Sequence, residues 1–95
     1  MEKLIWWLIA GMKGGINRAR IIHLLHERPY NANQIAEKLG LDYKTTRHHL
    51  EMLEKNDIIP ASGGKKYGRM YFLTHSMEKH YETFQEVWEQ ITDDD

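Results

Sequence analysis

Residues 31–54 of the chain read Asn31-Ala-Asn-Gln-Ile-Ala-Glu-Lys-Leu-Gly-Leu-Asp-Tyr-Lys-Thr-Thr-Arg-His-His-Leu-Glu-Met-Leu-Glu54. Asn31 can cap a first helix, because its side chain can accept a hydrogen bond from the backbone of Gln34, whose own side chain can reach back. Gly40 can adopt the left-handed conformation that ends a helix, and Asp42 can cap a second helix almost at once. The pattern therefore predicts two short helices joined by a tight turn.

The two predicted helices are amphipathic and bury one face of each against the other. The core positions are Ile35, Ala36, Leu39, Leu41, Thr46, Leu50 and Leu53. The opposite face of the second helix carries Tyr43, Lys44, Arg47 and His48, which we expect to point outward. His49 points to the core side, and we expect it to be partly buried and hydrogen-bonded.

Size and composition exclude several classes of protein. At 95 residues the chain has room for one hydrophobic core, and it contains no cysteine, which excludes disulfides, thiolate metal sites and cysteine nucleophiles. No nucleophile elbow, phosphate-binding glycine loop or paired-carboxylate motif occurs, so we expect neither enzymatic activity nor a cofactor. The apolar segment 4–10 is well short of the roughly 20 residues that cross a bilayer. We therefore expect a cytoplasmic protein.

Charge is segregated along the chain, although the formal net charge is only −1. Residues 17–73 carry ten Lys and Arg against six Asp and Glu, whereas residues 74–95 carry one lysine against seven acids. A basic centre beside an acidic tail suits a protein whose middle meets phosphates while its ends face elsewhere.

Further helices are predicted on both sides of residues 31–54. Residues 2–10 form a short apolar helix, and a glycine-rich joint leads to Asn17, which can cap a helix that stops before Pro29. Thr74 can cap a final helix whose apolar residues follow a heptad spacing.

A β-hairpin is predicted between the second helix of the pair and the final helix. Residues 58–62 and 67–73 are rich in branched or aromatic residues, and Gly63-Gly-Lys-Lys66 lies between them. Pro60 makes the first run an edge strand, which a two-stranded wing tolerates. The hairpin would thus carry a basic tip.

These parts, and one motif in particular, resemble ArsR-like winged helix-turn-helix regulators. The motif is Thr45-Thr-Arg-His-His-Leu-Glu-Met-Leu-Glu-Lys-Asn-Asp-Ile-Ile59, similar to the family's Thr-Val-Ser-x-His-Leu-x-x-Leu-x-x-x-Gly-Leu-Val. Here Thr46 replaces an aliphatic residue, Arg47 replaces a frequent Ser, and Asn56-Asp57 replaces a common glycine, although Asn56 can still end a helix in the left-handed conformation. The cysteine pair of the metal-sensing members is missing from this helix, so thiolate metal sensing does not carry over.

The resemblance implies a mainly α fold with a small β-hairpin, a winged helix-turn-helix with extra N- and C-terminal helices. It divides the chain into an N-terminal dimerisation arm over residues 1–16, a DNA-binding domain over 17–73 and a C-terminal dimerisation helix with an acidic tail over 74–95. The implied function is sequence-specific binding of double-stranded DNA by a homodimeric transcription regulator, a repressor, at a palindromic site.

The candidate DNA-binding residues follow from this placement. A recognition helix presents its outward side chains to the major groove, where Arg47 can contact a guanine through two hydrogen bonds. The wing and the preceding helix starts offer cations and polar groups to phosphates. The full set is Tyr43, Lys44, Thr45, Arg47, His48, Lys65, Lys66, Arg69, Asn33 and Arg18.

The terminal helices are too apolar to be left exposed, and a symmetric dimer would cover them. Such a dimer would also place two recognition helices about one turn of DNA apart. The candidate interface residues are Leu4, Ile5, Trp7, Leu8, Met77, Tyr81, Phe84, Trp88 and Ile91.

Two alternatives stay open at this point. Metal ions need three or four converging ligands, and no segment supplies a familiar spacing, so no metal site is predicted. A histidine and carboxylate site across a dimer, through His80 and a nearby glutamate, is the less favoured interpretation; His23 and His26 are another conceivable pair. The alternative function is a winged-helix module that binds a protein through its terminal helices without binding DNA, which the near-neutral net charge keeps open.

Overall fold

The computed structural model describes residues 1–61 and 68–92. In this part of the chain the helices are α1 (Glu2–Ile9), α2 (Gly15–Glu27), α3 (Ala32–Leu39), α4 (Tyr43–Lys55), α5 (His75–Lys79) and α6 (Tyr81–Thr92), and the strands are β1 (Tyr30–Asn31) and β2 (Met70–Tyr71). This is a mainly α fold with a small antiparallel sheet, a winged helix-turn-helix with extra terminal helices. The predicted fold class is confirmed.

The helix-turn-helix α3–α4 forms through the predicted caps. The Asn31 side chain accepts a hydrogen bond from the Gln34 backbone at 2.8 Å, and the Gln34 side chain accepts one from the Asn31 backbone at 2.9 Å. Gly40 ends α3 in the left-handed region at φ 68°, and the Asp42 carboxylate accepts a hydrogen bond from the Thr45 backbone at 2.7 Å. Each contact joins residues three apart, so the local sequence specifies the turn.

The sheet differs from the predicted hairpin. Strand β2 pairs with β1 in antiparallel register, Tyr30 opposite Tyr71 and Asn31 opposite Met70. Residues 58–61 are not in a strand, because Ile58 is used elsewhere: its N–H donates to the Leu53 carbonyl at 3.0 Å, and its own carbonyl accepts from Thr74 at 3.0 Å. The predicted basic tip falls outside the described residues.

The end of α4 also differs in detail. Asn56 caps the helix at φ −107°, and the left-handed residue is Asp57, at φ 60°. The turn sends Ile58 and Ile59 into the core, where both are fully buried. The prediction placed the left-handed residue one position too early.

The joint between α1 and α2 is tighter than a flexible linker. Helix α2 begins at Gly15, with Gly14 as its cap at φ 86°, three residues before the predicted cap at Asn17. A Cβ added to Gly15 would lie 1.7 Å from the carbonyl oxygen of Ile9. Because only glycine allows this approach, α1 can fold back closely onto α2.

The predicted final helix is interrupted at His80. Thr74 caps α5 as predicted, its hydroxyl accepting from the Met77 backbone at 3.1 Å. The chain then leaves helical geometry at His80, whose Nδ1 lies 2.8 Å from the Ser76 carbonyl oxygen. Helix α6 starts afresh and packs against α1, and no helix of the described ranges is long and apolar enough to cross a membrane.

Candidate nucleic-acid interface

The outward face of α4 is the largest group of predicted DNA-binding residues. Tyr43 is half exposed, and Lys44 and His48 are exposed. Thr45 is partly buried, and its hydroxyl donates to the Asp42 carboxylate at 2.9 Å. These hydrogen bonds from the Thr45 backbone and hydroxyl lower the pKa of Asp42. Thr45 therefore serves the helix cap first, while Lys44 and His48 stay available to a ligand.

Arg47 lies on the side of α4 that faces the sheet. Its Nη1 donates a hydrogen bond of 2.7 Å to the hydroxyl of Tyr71 in β2. Tyr71 is buried, with only 3 % of its surface exposed. The predicted base-reading arginine is thus held by a tyrosine that the sequence did not single out.

Arg69 does not extend to solvent as a wing cation. Its Nη1 donates to a Glu54 carboxylate oxygen at 2.7 Å, and its Nη2 donates to the Pro60 carbonyl at 2.6 Å. Its guanidinium also lies over the Tyr71 ring, 4.4 Å from the centroid. Arg69 therefore braces the base of β2 against the end of α4, a role that its position in the predicted hairpin did not indicate.

Arg18 cannot contact a phosphate, because its side chain is only 1 % exposed. Its Nε and Nη2 both donate to the Leu8 carbonyl, at 2.8 and 2.6 Å, and burial lowers its pKa. The prediction that placed Arg18 on the DNA surface is wrong. This guanidinium instead satisfies a carbonyl near the end of α1, which has no helical partner there.

A cleft of about 280 Å³ lies between the starts of α3 and α4 and the base of β2. It is lined by Asn31, Ala32, Asn33, Tyr43, Gly68, Arg69 and Tyr71. The predicted residue Asn33 is exposed on this cleft, close to the N-terminus of α3. Lys65 and Lys66 lie outside the described residues, and their roles stay predictions.

His49 is buried as expected, with 6 % of its surface exposed, but its Nδ1 has no hydrogen-bond partner in the described part of the chain. Burial lowers the pKa of His49, and the neighbouring charges of Arg18 and His48 lower it further. The site beside it is crowded: a Cβ on Gly14 would lie 2.8 Å from the imidazole Cε1. His49 therefore packs closely against the glycine that caps α2.

The predicted dimer residues divide into two groups. Ile5, Leu8, Met77 and Phe84 are at most 1 % exposed and form the core of the single chain. They are therefore unavailable to a second copy, because α1, α5 and α6 bury them in the hydrophobic core of the same chain. Those that keep exposed surface are Leu4, Trp7, Tyr81, Trp88 and Ile91.

Two histidines join α2 to the C-terminal helices. His26 Nδ1 lies 2.8 Å from a Glu78 carboxylate oxygen, and its ring stacks on Tyr81 with centroids 3.6 Å apart. His23 Nδ1 lies 2.9 Å from the Tyr81 hydroxyl, and burial, followed by His26, lowers the pKa of His23. Within residues 1–61 and 68–92 no group of three potential ligands is arranged for a metal ion.

Comparison with known families identifies the central part of the chain. The family model described as bacterial regulatory protein, arsR family, matches residues 17–60, which hold all but the first two residues of α2, the helix-turn-helix α3–α4 and the turn after it. No curated protein matches the chain. The family assignment agrees with the fold and with the cationic outward face of α4. Over residues 17–60 the chain is therefore similar to the arsR family of bacterial regulatory proteins, and this similarity supports a DNA-binding transcription regulator.

Proposed function

We propose that the chain acts as a homodimeric repressor that binds a palindromic duplex site, with α4 in the major groove of each half-site. The observation that carries this proposal is the outward face of α4, where Lys44 and His48 are exposed and Arg47 is held at its edge by a side chain of the sheet. Arginine and lysine read guanine edges or phosphates from such a helix. Asn33 and Tyr43 line the adjoining cleft, and we expect their polar groups to contact a backbone phosphate there.

The proposed contacts to DNA phosphates are tested by measuring the binding of a labelled duplex of randomised sequence over a range of salt concentrations. We expect affinity to fall linearly on logarithmic axes, because phosphate contacts release counterions. Lys44→Ala should reduce the salt slope by about 1. Lys79→Ala, an exposed lysine on α5, is the matched control and should keep the parent's slope.

A dimer is proposed because partly exposed apolar residues remain on the two terminal helices after the chain has formed its own core. Trp7 is 47 % exposed on α1, which packs on α6. Sedimentation at micromolar concentration should give a dimer for the parent and a monomer for Trp7→Glu. Phe72→Glu is the control, because Phe72 is equally exposed at 47 % but lies beside the sheet.

Repression needs only that the bound dimer occludes a promoter, so it is the role that this domain can perform through DNA binding alone. A reporter whose promoter overlaps the selected site should be silenced by the parent and released by Arg47→Ala. A reporter that the parent stimulates would contradict the repressor role.

The second candidate is a protein-interaction module. A cleft of about 500 Å³ between α1 and α6 holds Trp6 beside the carboxylates of Glu2, Glu86 and Glu89, a surface that suits a basic partner segment. If the parent binds no duplex DNA at low salt, this function replaces the first.

A further inference from the structure

Two hydrogen bonds join helix α4 to strand β2 and to Arg69, the residue just before that strand. Near the start of α4, Arg47 donates to the Tyr71 hydroxyl at 2.7 Å, and near its end, Glu54 accepts from Arg69 at 2.7 Å. The two anchors are seven residues apart on the helix, a span of about 10 Å. Because Arg69 also lies over the Tyr71 ring at 4.4 Å, the two anchors meet at one tyrosine. The strand and the helix are therefore coupled through Tyr71.

Tyr71 is well placed to hold a charged group in one orientation. Its side chain is 3 % exposed, and its backbone is paired opposite Tyr30 in β1. A buried hydroxyl that accepts from a charged donor makes a shorter and stronger hydrogen bond than a neutral pair. The position of the Tyr71 oxygen is thus set by the sheet, and Arg47 is set by that oxygen.

The geometry of the guanidinium decides what remains free. Arginine has five N–H donors in a planar fork, and Arg47 uses only Nη1 on Tyr71 among the described residues. The Nε and Nη2 donors have no partner among the described residues. Together they can donate two hydrogen bonds to the O6 and N7 acceptors of a guanine. Fixing Nη1 removes rotamer freedom that would otherwise be lost on binding DNA.

We propose that Tyr71 is a positioning residue for DNA recognition: its hydroxyl orients the Arg47 guanidinium so that the Nε and Nη2 edge reads a base pair. This rests on the proposed function, since it assigns a specificity role within the same interface. Arg69 and Glu54 support the arrangement by fixing the Tyr71 ring and the far end of α4. Strand β2 thereby controls sequence preference through Tyr71, a buried side chain that does not itself contact a base.

The test begins with the parent protein selecting bound sequences from a duplex pool of randomised sequence. The selected duplex and its single base-pair variants are then titrated with the parent and with Tyr71→Phe, which removes one oxygen and keeps the ring under Arg69. We expect Tyr71→Phe to lose about tenfold of discrimination at one base pair of each half-site. Its affinity for the unselected pool and its salt slope should stay at the parent's values, because no phosphate contact changes.

Two further comparisons separate positioning from a general structural effect. In an Arg47→Ala background, Tyr71→Phe should cause no additional loss, because the residue it orients is gone. Tyr30→Phe removes a hydroxyl from the tyrosine paired opposite and should discriminate like the parent. If Tyr71→Phe folds poorly, Arg69→Gln gives a second test: it removes the guanidinium that lies over the Tyr71 ring, leaves the Arg47 fork intact and should lose discrimination at the same base pair.

The possible outcomes separate a failure of the Tyr71 positioning role from a failure of the proposed DNA-binding function. A parent that enriches no sequence overturns the proposed function and the positioning role together. A parent that enriches a site which Tyr71→Phe reads equally well overturns the positioning role alone. Tighter or sharper binding by Tyr71→Phe also overturns it, because the hydroxyl would then restrain Arg47 away from DNA.

Discussion

The helix-turn-helix and the layer formed by α1 and α6 both have amphipathic sequences, but the chain uses them differently. In α3–α4 the apolar face is buried and the charged face of α4 remains outward. In the terminal layer, residues expected to bind a second copy, such as Phe84 and Leu8, are instead the core of the same chain. An apolar stripe thus indicates that a face is covered, but it does not say which surface covers it.

The largest effect is expected when a buried side chain is removed from the layer formed by α1 and α6. Phe84→Ala should lower the free energy of unfolding by about 3–5 kcal/mol, because a fully buried aromatic leaves a cavity. Denaturation in urea at several protein concentrations measures this. We expect the loss at every concentration, since the contact is within one chain.

Trp7→Ala is the matched control for that prediction. Trp7 lies in the same layer but is 47 % exposed. Its replacement should lower the free energy of unfolding by clearly less than Phe84→Ala does under conditions where the chain is monomeric, because about half of the Trp7 surface is already in water. If instead Phe84→Ala dissociates a dimer and leaves unfolding unaltered, the division between core and interface is wrong.

In the helix-turn-helix, Asn31→Ala should lower the free energy of unfolding by about 1 kcal/mol. It removes the side chain that accepts the Gln34 backbone hydrogen bond in the capping box of α3. Thermal or urea unfolding measures the loss. Asn33→Ala, an exposed asparagine two residues on, is the control and should unfold like the parent. Equal effects from the two variants would show that the cap is not what holds the turn.

The buried face of α4 should respond to pH. The pKa of His49 is lowered in the folded protein, first by burial and then by Arg18 and His48. The unfolded chain, with an ordinary histidine pKa of about 6.5, therefore binds the proton more readily. The contribution of His49 to the free energy of unfolding should be complete above that pH. It should fall as the pH drops below the pKa of the unfolded chain toward the lower pKa of the folded protein.

Unfolding of His49→Gln and His48→Gln at pH 7.5 and 5.5 checks this expectation. His49→Gln should show a smaller loss on acidification than the parent, and the remainder includes His23, whose pKa burial also lowers. His48→Gln removes the last and smallest of the three causes, so it should keep most of the parent's pH dependence. If His49→Gln kept the pH dependence of the parent, His49 would not be a cause of the loss of stability at low pH.

The parts that the sequence predicted well are those fixed by near neighbours. The caps of α3, α4 and α5 each join residues three apart, and the spacing of core residues on α4 needs only one helix. These features depend on local hydrogen bonds and periodicity, so no knowledge of distant segments was needed.

The parts that the sequence missed depend on distant contacts. Arg18 is bound by a carbonyl ten residues away, and Arg47 by a hydroxyl 24 residues away. The strand partner of Tyr71 is Tyr30, which precedes the helix-turn-helix, because Ile58 is already bonded to the end of α4. A charged residue near a helix start looks the same in sequence whether it faces solvent or closes a joint.

The most direct measurement is a selection from a randomised duplex pool by the parent and by Arg47→Ala, side by side at one salt concentration. The parent should enrich a palindrome, and Arg47→Ala should lose its preference at one base pair in each half-site while still binding duplex DNA. Enrichment of the same sequence by both proteins would contradict the claim that α4 reads DNA through Arg47.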